Sequence, residues 1–575
     1  MPYSANIEKL QRNFLPQDYT ITTWDSLQPY FTDLQHRPLE SLQALHTWLL
    51  HSSELEAAIS EDACWRQIKM TCNTTNKALE DAFNYFCMHI QPQVQQCADA
   101  LNHKLLNCPY TQQLDPTTYH TYLRSIRKSV ALYRDVNVPI QAELAVEQQH
   151  YGTITGAMTI QYQGQEYTLQ QASKLLQHQD RNVRETVYRA INDRRLQDVD
   201  KLDALMDSLL TKRNTIATNA GYGSYTQYRF KELGRFDYTV EDCQQFHQAV
   251  KEHILPLVSK IYQAKQAKLG VPTLRPWDVD AEPTGTAPLQ PFTTGQELLN
   301  KTITCFEQLS PFFANCLRKM QALNHFDLES RVGKAPGGYN CPLTESGAPF
   351  IFMNAAGQMD DVITMVHEGG HAVHSFLAHN LPLSGFKEYP MEIAEVASMS
   401  MELFSMEHWD SYFTNPADLN RAKLHQLERV ITIFPWIATI DKYQLWLYSH
   451  PNHTSQERNA AWQSILQEYS VPELDVTGLQ QYRNTSWQRQ LHLYEVPFYY
   501  IEYGIAQLGA IGMYMQYKQD KQAALSNYCK ALSLGATKTL PELYQAAGLQ
   551  FSFAPSVVKE LIAFITQEMH SIDQA

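Results

Sequence analysis

Apolar side chains recur at helical spacing through most of the first 150 residues. Residues 39–50 and 119–133 both place apolar side chains three and four positions apart. No glycine occurs before Gly152, although the chain contains 23. Because β-hairpin turns need residues that accept a positive φ, this absence favours helices over strands. The pattern therefore predicts helical hairpins over this stretch.

The periodicity changes between residues 152 and 169. Ile160 and Tyr162 alternate with polar neighbours, and Gln163-Gly164 offers a turn before a second short alternating run. Alternation on both sides of a turn is typical of a β-hairpin. We therefore predict a hairpin at 152–169, between two helical regions.

Helical patterns return at residue 171 and continue to about residue 269, and Gly221-Tyr222-Gly223 is expected to end one of these helices. Residues 270–295 contain five prolines, which interrupt any helix. We expect this passage to cross the surface between helical blocks. Further on, residues 348–354 are apolar and begin next to a proline, which suits an edge strand that could pair with an extended peptide.

Composition and charge exclude several classes of protein. The 575 residues are 44% hydrophobic and 18% charged, and 46 basic against 60 acidic side chains give a net charge of −14. Nucleic-acid binding is disfavoured because there is no basic excess to hold a phosphate backbone. We expect no membrane span and no secretion signal, because no long uncharged apolar run is present. The ten scattered cysteines form no C-x-x-C pair, which favours a reducing, cytoplasmic setting.

One short sequence stands out for its chemistry: His367-Glu368-Gly369-Gly370-His371, which follows a helix-forming run at 360–366. Residues four apart share a helix face, so both imidazoles point to one place, while Glu368 lies about 100° around the helix. A catalytic zinc ion takes three protein ligands and leaves a fourth position for water. The motif therefore predicts two zinc ligands and a general base. Each glycine inside a helix is unfavourable by about 1 kcal/mol relative to alanine, which indicates that a substrate or another backbone comes close here.

The third zinc ligand has to come from outside this motif. A histidine six residues after His371 would serve in one known pattern, but Leu377 stands there. His374 lies on nearly the same face and could bind the ion, although three ligands from one helix strain a tetrahedral site. We expect His374 to pack or to orient a ligand, and His379 to lie at the surface.

A second predicted helix, residues 391–402, offers a better third ligand. Ala394, Ala397 and Ser398 are small residues around Glu395, and they would let this helix approach the first one closely. A carboxylate oxygen binds zinc at about 2.0–2.2 Å. Glu395 would thus complete a His/His/Glu site.

Four other acidic residues could orient the ligands. Glu392 and Glu402 lie near the same helix face as Glu395, and Asp360 stands seven residues before His367, on its face. A carboxylate of this kind fixes an imidazole through its second nitrogen. For Asp360 and Asp361, a solvated position at the start of a helix is an equally good interpretation.

These motifs together resemble those of a known family. Residues 366–376 and Ala394-Glu395-Val396-Ala397-Ser398 are similar to the oligoendopeptidase F branch of the thimet-oligopeptidase family of zinc peptidases, which includes the Pz-peptidases. Residues 333–354, Trp24-Asp25, Ser53-Glu54-Leu55-Glu56 and a tyrosine-rich segment near the C-terminus extend the likeness over most of the chain. The resemblance implies one zinc ion per chain, held by His367, His371 and Glu395, with Glu368 as the base.

The resemblance also implies the fold. We expect a mainly α, two-lobed peptidase with a deep central substrate channel and a few short β-strands near the active site. Residues 1–190 would form an N-terminal helical lobe with the hairpin, and residues 191–575 a catalytic lobe.

The tyrosine-rich segment, residues 491–506, contains His492, Tyr499, Tyr500 and Tyr503. On the pattern alone, a stripe of core aromatic side chains is the simpler interpretation. Pro497 suits the first turn of a helix, which would leave His492 in the preceding loop. The resemblance implies instead that His492, Tyr499 and Tyr503 bind substrate and stabilise the oxyanion, with the choice between Tyr499 and Tyr500 open.

The predicted function is therefore zinc-dependent hydrolysis of internal bonds in short unstructured peptides. Two alternatives remain. A carboxypeptidase or dipeptidyl carboxypeptidase of the same motif would need a cation for the substrate's C-terminal carboxylate, and Lys442, Arg483 and Arg489 are available. A catalytically inactive peptide-binding scaffold is the other. The sequence does not indicate the oligomeric state.

Overall fold

The structure is a computed structural model that describes residues 3–283, 287–331, 333–335 and 337–574. Helices dominate it. In chain order they are α1 (Trp24–His36), α2 (Leu42–Cys72), α3 (Lys77–Tyr85), α4 (Gln91–Asn107), α5 (Pro116–Leu132), α6 (Val138–Gly156), α7 (Leu169–Ser173), α8 (Arg181–Leu196), α9 (Val199–Asn219), α10 (Tyr225–Glu232), α11 (Val240–Ala249), α12 (Leu255–Leu269), α13 (Gly295–Leu309), α14 (Pro311–Ala322), α15 (Met359–Ala378), α16 (Met391–Met406), α17 (Pro416–Ser449), α18 (Ser455–Glu468), α19 (Gln480–Asn484), α20 (Leu491–Glu495), α21 (Tyr500–Gln519), α22 (Lys521–Leu532), α23 (Leu540–Ala546) and α24 (Pro555–Asp573).

The strands are short and form two small sheets. They are β1 (Thr159–Tyr162), β2 (Gln165–Thr168), β3 (Phe326–Glu329), β4 (Tyr339–Cys341) and β5 (Phe350–Ala355). β1 and β2 pair antiparallel. The second sheet has the order β3-β5-β4, with β3 parallel and β4 antiparallel to β5.

The predicted mainly α fold is confirmed, and so are the helical periodicities. The predicted hairpin is present, but it is shorter than expected, because α6 continues through Gly152 to Gly156 before β1 begins at Thr159. Nothing lies within 4 Å of a Cβ at either glycine, so these residues are tolerated in the helix without a close contact. Of the predicted surface passage at 270–295, residues 284–286 lie outside the described residues.

The prediction that residues 348–354 form an edge strand is wrong. β5 is the central strand, because β3 and β4 occupy its two sides. Its side chains are almost entirely buried. The same apolar composition suits an edge and a buried centre, and only the pairing of distant segments decides between them. At Ile351 and Phe352, where β3 and β4 both pair with it, β5 therefore has no free edge on which to accept a peptide.

The chain divides into two compact units. The first comprises Met1–Asp135, Gln290–Lys423 and Ala506–Phe551, and the second comprises Val136–Leu289, Leu424–Ile505 and Ser552–Ala575. Each unit is thus assembled from three separate segments, and residue 190, the expected boundary, lies inside the second unit.

Each unit has its own apolar core. In the first, α1 and α2 contribute Leu34 and Trp48 to a large cluster, and the Trp48 indole N–H donates to the Leu34 carbonyl at 2.9 Å. In the second, the β1–β2 hairpin packs Ile160 against Val187 and Ile191 of α8. Over the described residues, the helices lack the combination of length and hydropathy that a membrane span needs.

Candidate metal centre

The His-Glu-x-x-His motif lies in helix α15 of the first unit, and the first turn of this helix is capped by a side chain. The Asp361 carboxylate accepts hydrogen bonds from the backbone N–H groups of Ala356 and Gln358 at 2.7 and 2.9 Å. Acidic side chains are favourable at a helix N-terminus, where N–H groups lack partners. Asp361 therefore acts as a cap, and Asp360 is exposed to solvent.

His367 and His371 project from the same face of α15. Their ring centroids are 4.9 Å apart, and the planes cross at 83°. This arrangement lets the Nε2 atoms approach one point without the rings stacking, as the spacing of four residues predicts.

The two glycines between the histidines allow close packing on two sides. A Cβ on Gly370 would lie 2.7 Å from the Ala397 carbonyl oxygen and 2.7 Å from the Ser398 Cα. A Cβ on Gly369 would lie 2.7 Å from the ring of Phe306. The expectation that another backbone comes close at the glycine pair is therefore met by α16, whose backbone touches α15 at Gly370.

This contact brings Glu395 of α16 to the two histidines. Its Oε2 atom lies 3.3 Å from Nε2 of His367 and 3.7 Å from Nε2 of His371. The three donor atoms all lie within 4.8 Å of one another. Ser398 donates a hydrogen bond to the same Oε2 at 3.0 Å, which fixes the carboxylate.

The donor set fits a zinc ion. Two imidazole nitrogens and one carboxylate oxygen are a known set for catalytic zinc, and ligands at tetrahedral angles around the ion are separated by about 3.4 Å. The observed separations of 3.3 and 3.7 Å are close to this. Within the described ranges, this is the group of three metal-ligating side chains that the structure brings together.

Glu402, one of the two glutamates expected to orient ligands, contacts His367. Its Oε1 atom lies 2.7 Å from Nδ1 of His367, on the opposite side of the ring from Nε2. A carboxylate there requires the proton on Nδ1, which leaves Nε2 free to bind a metal. Asp360, another of the acids considered for this role, is exposed instead.

The electrostatics of the centre follow from burial and the clustered carboxylates. Burial opposes the charged form of His367, but the carboxylates of Glu395 and Glu402 outweigh it and raise its pKa. Burial lowers the pKa of His371 to about 4. Burial, with the same two carboxylates nearby, raises the pKa of Glu368 to about 7. A carboxyl group with that pKa can both accept and release a proton at neutral pH.

Strand β4 lies directly beside the motif. The Asn340 side-chain amide donates to the backbone carbonyl of Glu368 at 3.2 Å. In the described part of the chain, β4 is an outer strand of its sheet, since only β5 is paired with it. The strand edge nearest the motif therefore belongs to Tyr339–Cys341.

The two remaining histidines of this region are both buried. His374 stacks on Tyr389 with ring centroids 3.6 Å apart, which places it in packing contacts. His379 was expected at the surface, but only 5% of it is exposed. Its ring occupies the space that a Cβ on Gly347 would need, at 2.2 Å from that position, so a loop from far along the chain covers it.

The second unit contains the aromatic cluster that was predicted to bind substrate. The His492 ring lies 5.9 Å from Tyr499, 4.8 Å from Tyr500 and 5.8 Å from Tyr503. Tyr499 and Tyr503 are 5.3 Å apart in an edge-to-face arrangement. All four polar rings therefore lie together, Tyr500 included.

The chain reaches this cluster differently from the prediction. His492 lies in the short helix α20 rather than in a loop, and α21 begins at Tyr500 rather than at Pro497. The reason is Phe498, which adopts φ 66°. A residue in this left-handed conformation cannot lie inside a right-handed helix, so α21 begins after it. No feature of the local sequence indicates this turn, because phenylalanine rarely adopts it.

Side chains from other elements stabilise the turn at Phe498. Its N–H donates to the Gln444 side-chain oxygen at 2.5 Å, and its carbonyl accepts from Arg235. Arg235 also pairs with Glu502 at 2.9 Å, both fully buried. Arg235 and Gln444 thus support the tyrosine segment. Sequence reasoning missed both, because Arg235 lies in the connection between α10 and α11 and Gln444 lies in α17, both far from this segment along the chain.

Comparison with known protein families matches two models to this chain. Residues 174–561 match peptidase family M3, and residues 14–133 match the peptidase M3 N-terminal domain. Together they cover most of the chain.

Among curated proteins, an oligoendopeptidase F homologue from Borreliella burgdorferi is 22% identical over 298 residues, 49% of this chain and 48% of that protein. One from Lactococcus lactis subsp. lactis is 26% identical over 234 residues, 40% of this chain and 37% of that protein. The chain thus spans about half or less of the length of these relatives.

Solved structures are similar over nearly the whole chain. Pz peptidase A bound to an inhibitor superimposes with a TM-score of 0.91 at 24% identity, covering 98% of this chain and 100% of that one. Oligoendopeptidase F from Enterococcus faecium gives a TM-score of 0.66 at 15% identity, covering 96% and 97%. At these identities the likeness shows a shared fold.

Proposed function

The chain belongs to peptidase family M3, and on that premise we propose that it is a zinc-dependent oligoendopeptidase acting on internal bonds of short, unstructured peptides. One observation carries the proposal. Nε2 of His367, Nε2 of His371 and Oε2 of Glu395 converge within 4.8 Å, with the Glu368 carboxyl group next to them in the sequence.

His367, His371 and Glu395 would hold the zinc ion, one per chain. When bound, zinc supplies Lewis-acid chemistry, polarising a carbonyl group and making a water molecule more acidic. Glu402 would keep the His367 ring in the orientation that binding needs, through its 2.7 Å contact with Nδ1. Ser398 would do the same for the Glu395 carboxylate.

Glu368 would serve as the general base and then as the general acid. Its carboxylate accepts a proton from the attacking water as the new C–O bond forms at the scissile carbonyl carbon. It then returns that proton to the amide nitrogen as the C–N bond breaks. A pKa of about 7 suits a group that must do both at neutral pH.

His492, Tyr499 and Tyr503 would bind the substrate and stabilise the oxyanion of the tetrahedral intermediate. Neutral hydroxyl and imidazole donors stabilise a developing negative charge without adding one of their own. The clustering of these rings within 6 Å supports a shared task. Tyr500 stays a candidate beside Tyr499, because its ring is the nearest to His492.

An extended peptide would pair with β4 instead of the buried β5. Tyr339–Cys341 form an outer strand, and Asn340 contacts the backbone of Glu368. Added-strand pairing fixes a peptide by its backbone and so accepts many sequences. Such tolerance of sequence suits an oligopeptidase. The proposal also includes a substrate channel that admits only short chains, and a cytoplasmic location.

One observation of the structure bears on each of the two alternative functions. For a carboxypeptidase, Lys442 is a poor carboxylate-binding group because it pairs with Glu468 at 2.7 Å. Arg483 and Arg489 remain available, and end-blocked peptides test this alternative directly. An inactive peptide-binding scaffold is disfavoured because Glu368, the proposed base, stands in the sequence between two of the three residues that could hold a metal ion.

The test combines metal content with cleavage of an internally quenched peptide of ten residues, blocked at both ends. Wild type, Glu368→Gln and the control Asp360→Asn, an exposed acid on the same helix, are compared. We expect one zinc ion in all three proteins and turnover in all except Glu368→Gln, where it falls at least about 10²–10⁴-fold. Zinc binding without cleavage of the blocked peptide would overturn the endopeptidase assignment, and absence of zinc would overturn the mechanism.

A further inference from the structure

Three arginines of the second unit lie close enough to Tyr188 for their charges to oppose the rise in its hydroxyl pKa that burial causes. Arg195 is near the end of α8, Arg483 is in α19, and Arg489 precedes α20. α8 and α19 meet through the rings of Tyr188 and Tyr482, 6.2 Å apart. The Tyr151 hydroxyl donates to the carbonyl of Gln488, the residue before Arg489, at 3.0 Å. These contacts bring together the segments that carry the three arginines.

The three positive charges act on one another. Burial and the charge of Arg489 together lower the pKa of Arg195 to about 10. Burial also lowers the pKa of Arg483, and Arg489 adds to this effect. Like charges in such surroundings repel, so a bound anion would be stabilised there.

The described residues supply no anion for this cluster. None of their carboxylates lies within 4.0 Å of the guanidinium groups of Arg195, Arg483 or Arg489. Arg483 donates to the Ser470 hydroxyl at 3.3 Å. By contrast, the neighbouring Arg194 pairs with Asp198 at 2.5 Å. Arg195 and Arg483 are half-buried, and Arg489 is exposed beside them. Half-buried cations are usually paired, so two of them without a carboxylate, next to a third positive charge, indicate a site for one.

Arg489 is held in a way that leaves its N–H groups available. Its guanidinium lies over the Trp436 ring, 4.4 Å from the centroid. Stacking of this kind orients the planar group while its edge can still bind a carboxylate through two parallel hydrogen bonds.

A series of contacts also connects Arg489 to the aromatic cluster of His492, Tyr499, Tyr500 and Tyr503. The Trp436 indole N–H donates to the Gln490 side chain at 2.8 Å, and Gln490 contacts Nδ1 of His492 at 2.6 Å. The positive charge of Arg489 also reaches the Tyr500 hydroxyl, whose pKa burial raises to about 12. A group bound by Arg489 would therefore lie beside His492 and Tyr500.

We infer that Arg195, Arg483 and Arg489 form a subsite for a carboxylate group of the substrate peptide. The inference rests on the proposed peptidase function and adds a substrate preference to it. Two sources can supply the carboxylate, the C-terminus of the peptide and an acidic side chain. The chemistry recognised is the same in both cases.

Binding to the Glu368→Gln protein tests the subsite without requiring turnover. Fluorescence anisotropy is measured with labelled ten-residue peptides in two matched pairs, one with a C-terminal acid or amide and one with an internal Glu or Gln. We expect the anionic member of at least one pair to bind about tenfold more tightly or better. The pair that shows the preference identifies the source of the carboxylate.

Variants in the same Glu368→Gln background locate the preference. Arg489→Gln and Arg195→Gln should reduce the affinity ratio of acid to neutral peptide towards one, and Arg489→Lys should give an intermediate ratio. The matched control is Arg194→Gln, which removes the same charge one residue away but from an arginine already paired with Asp198. This control should keep the full ratio. A general loss of folding would weaken the binding of both peptides of a pair, so a variant is compared only when its affinity for the neutral peptide matches that of the Glu368→Gln protein.

The outcomes separate this inference from the proposed function. Equal binding of anionic and neutral peptides, or a ratio that survives both glutamine substitutions, would overturn the subsite. A clear ratio in binding, together with no cleavage of any peptide by wild type, would overturn the peptidase proposal and leave the subsite standing. Cleavage with no charge preference would do the reverse.

Discussion

Oε1 of Glu402 lies 2.7 Å from Nδ1 of His367, while Nε2 of the same ring lies 3.3 Å from Oε2 of Glu395. The His367 imidazole thus contacts two carboxylates. Glu402 orients the ring, and Glu395 would bind the same metal ion as the ring. Both carboxylates come from α16, seven residues apart, so the same helix face supplies a candidate metal ligand and the carboxylate that orients its neighbour.

We expect Glu402→Gln to weaken zinc binding about 10- to 100-fold, because the amide cannot impose the same tautomer and orientation on His367. Competition with a chromogenic chelator measures this affinity. Glu407→Gln is the matched control, since Glu407 terminates the same helix but contacts Tyr514 and Lys518 instead. Equal zinc affinity in wild type and Glu402→Gln would contradict the role of Glu402.

Gly370→Ala should separate α15 from α16, because its Cβ would lie 2.7 Å from backbone atoms that cannot turn aside. Overpacking of this kind costs about 1–3 kcal/mol, and displacement of Glu395 should also weaken zinc binding. Urea denaturation and the chelator assay measure the two effects. Gly369→Ala should be milder, since its Cβ would meet only the end of the Phe306 ring.

The control for the glycine series is Gly152→Ala, within helix α6. Nothing lies within 4 Å of a Cβ there, so the change should stabilise the protein by about 0.5–1 kcal/mol through helix propensity alone. If Gly370→Ala were equally stabilising, the close contact between the helices could not be the reason for glycine at 370.

Asp278 makes the second unit sensitive to acid. Burial raises its pKa, but hydrogen bonds from Arg181 and Arg184 outweigh burial and lower it below the ordinary value. A carboxylate whose pKa is lower in the folded state adds stability above its unfolded pKa of about 4 and loses it as the pH falls through the folded value.

Asp278→Asn should therefore destabilise the protein at pH 7, by about 3–5 kcal/mol as for other broken buried pairs. The difference from wild type should shrink as the pH falls below about 4, where the wild-type carboxylate is protonated in the unfolded chain. Urea denaturation at pH 7 and pH 3 measures both. Asp475→Asn, which removes a half-buried pair with Arg275 at 2.9 Å, should cost at most about 1 kcal/mol. A pH-independent gap for Asp278→Asn would contradict the linkage.

Phenylalanine substitutions at the clustered tyrosines should show which hydroxyl stabilises the oxyanion. Removing one such donor lowers kcat by about 10²–10³-fold, while the ring contacts remain. We expect this loss for Tyr499→Phe and Tyr503→Phe, measured with the end-blocked peptide. A larger loss in Tyr500→Phe than in Tyr499→Phe would transfer the role to Tyr500, whose ring lies closest to His492.

Features that depend on local spacing could be read from the sequence. The helices, the two histidines four residues apart and the small residues around Glu395 all follow from helix geometry, in which neighbours on a face are three or four positions apart. The glycine pair likewise indicates, from its place inside a helix, that another group approaches the helix backbone closely. In each case, the residues that decide the feature lie within one or two turns of each other.

Features that depend on segments far apart along the chain could not be predicted from the sequence. β5 is central and not an edge because β3 and β4 pair with it, and His379 is buried because the loop at Gly347 covers it. The turn at Phe498 depends on Gln444, and the arginine cluster depends on the packing of α8 against α19. Sequence alone therefore determined which residues are candidates for the chemistry. Tertiary structure decided which of them meet, because packing and hydrogen bonds join side chains that are far apart along the chain.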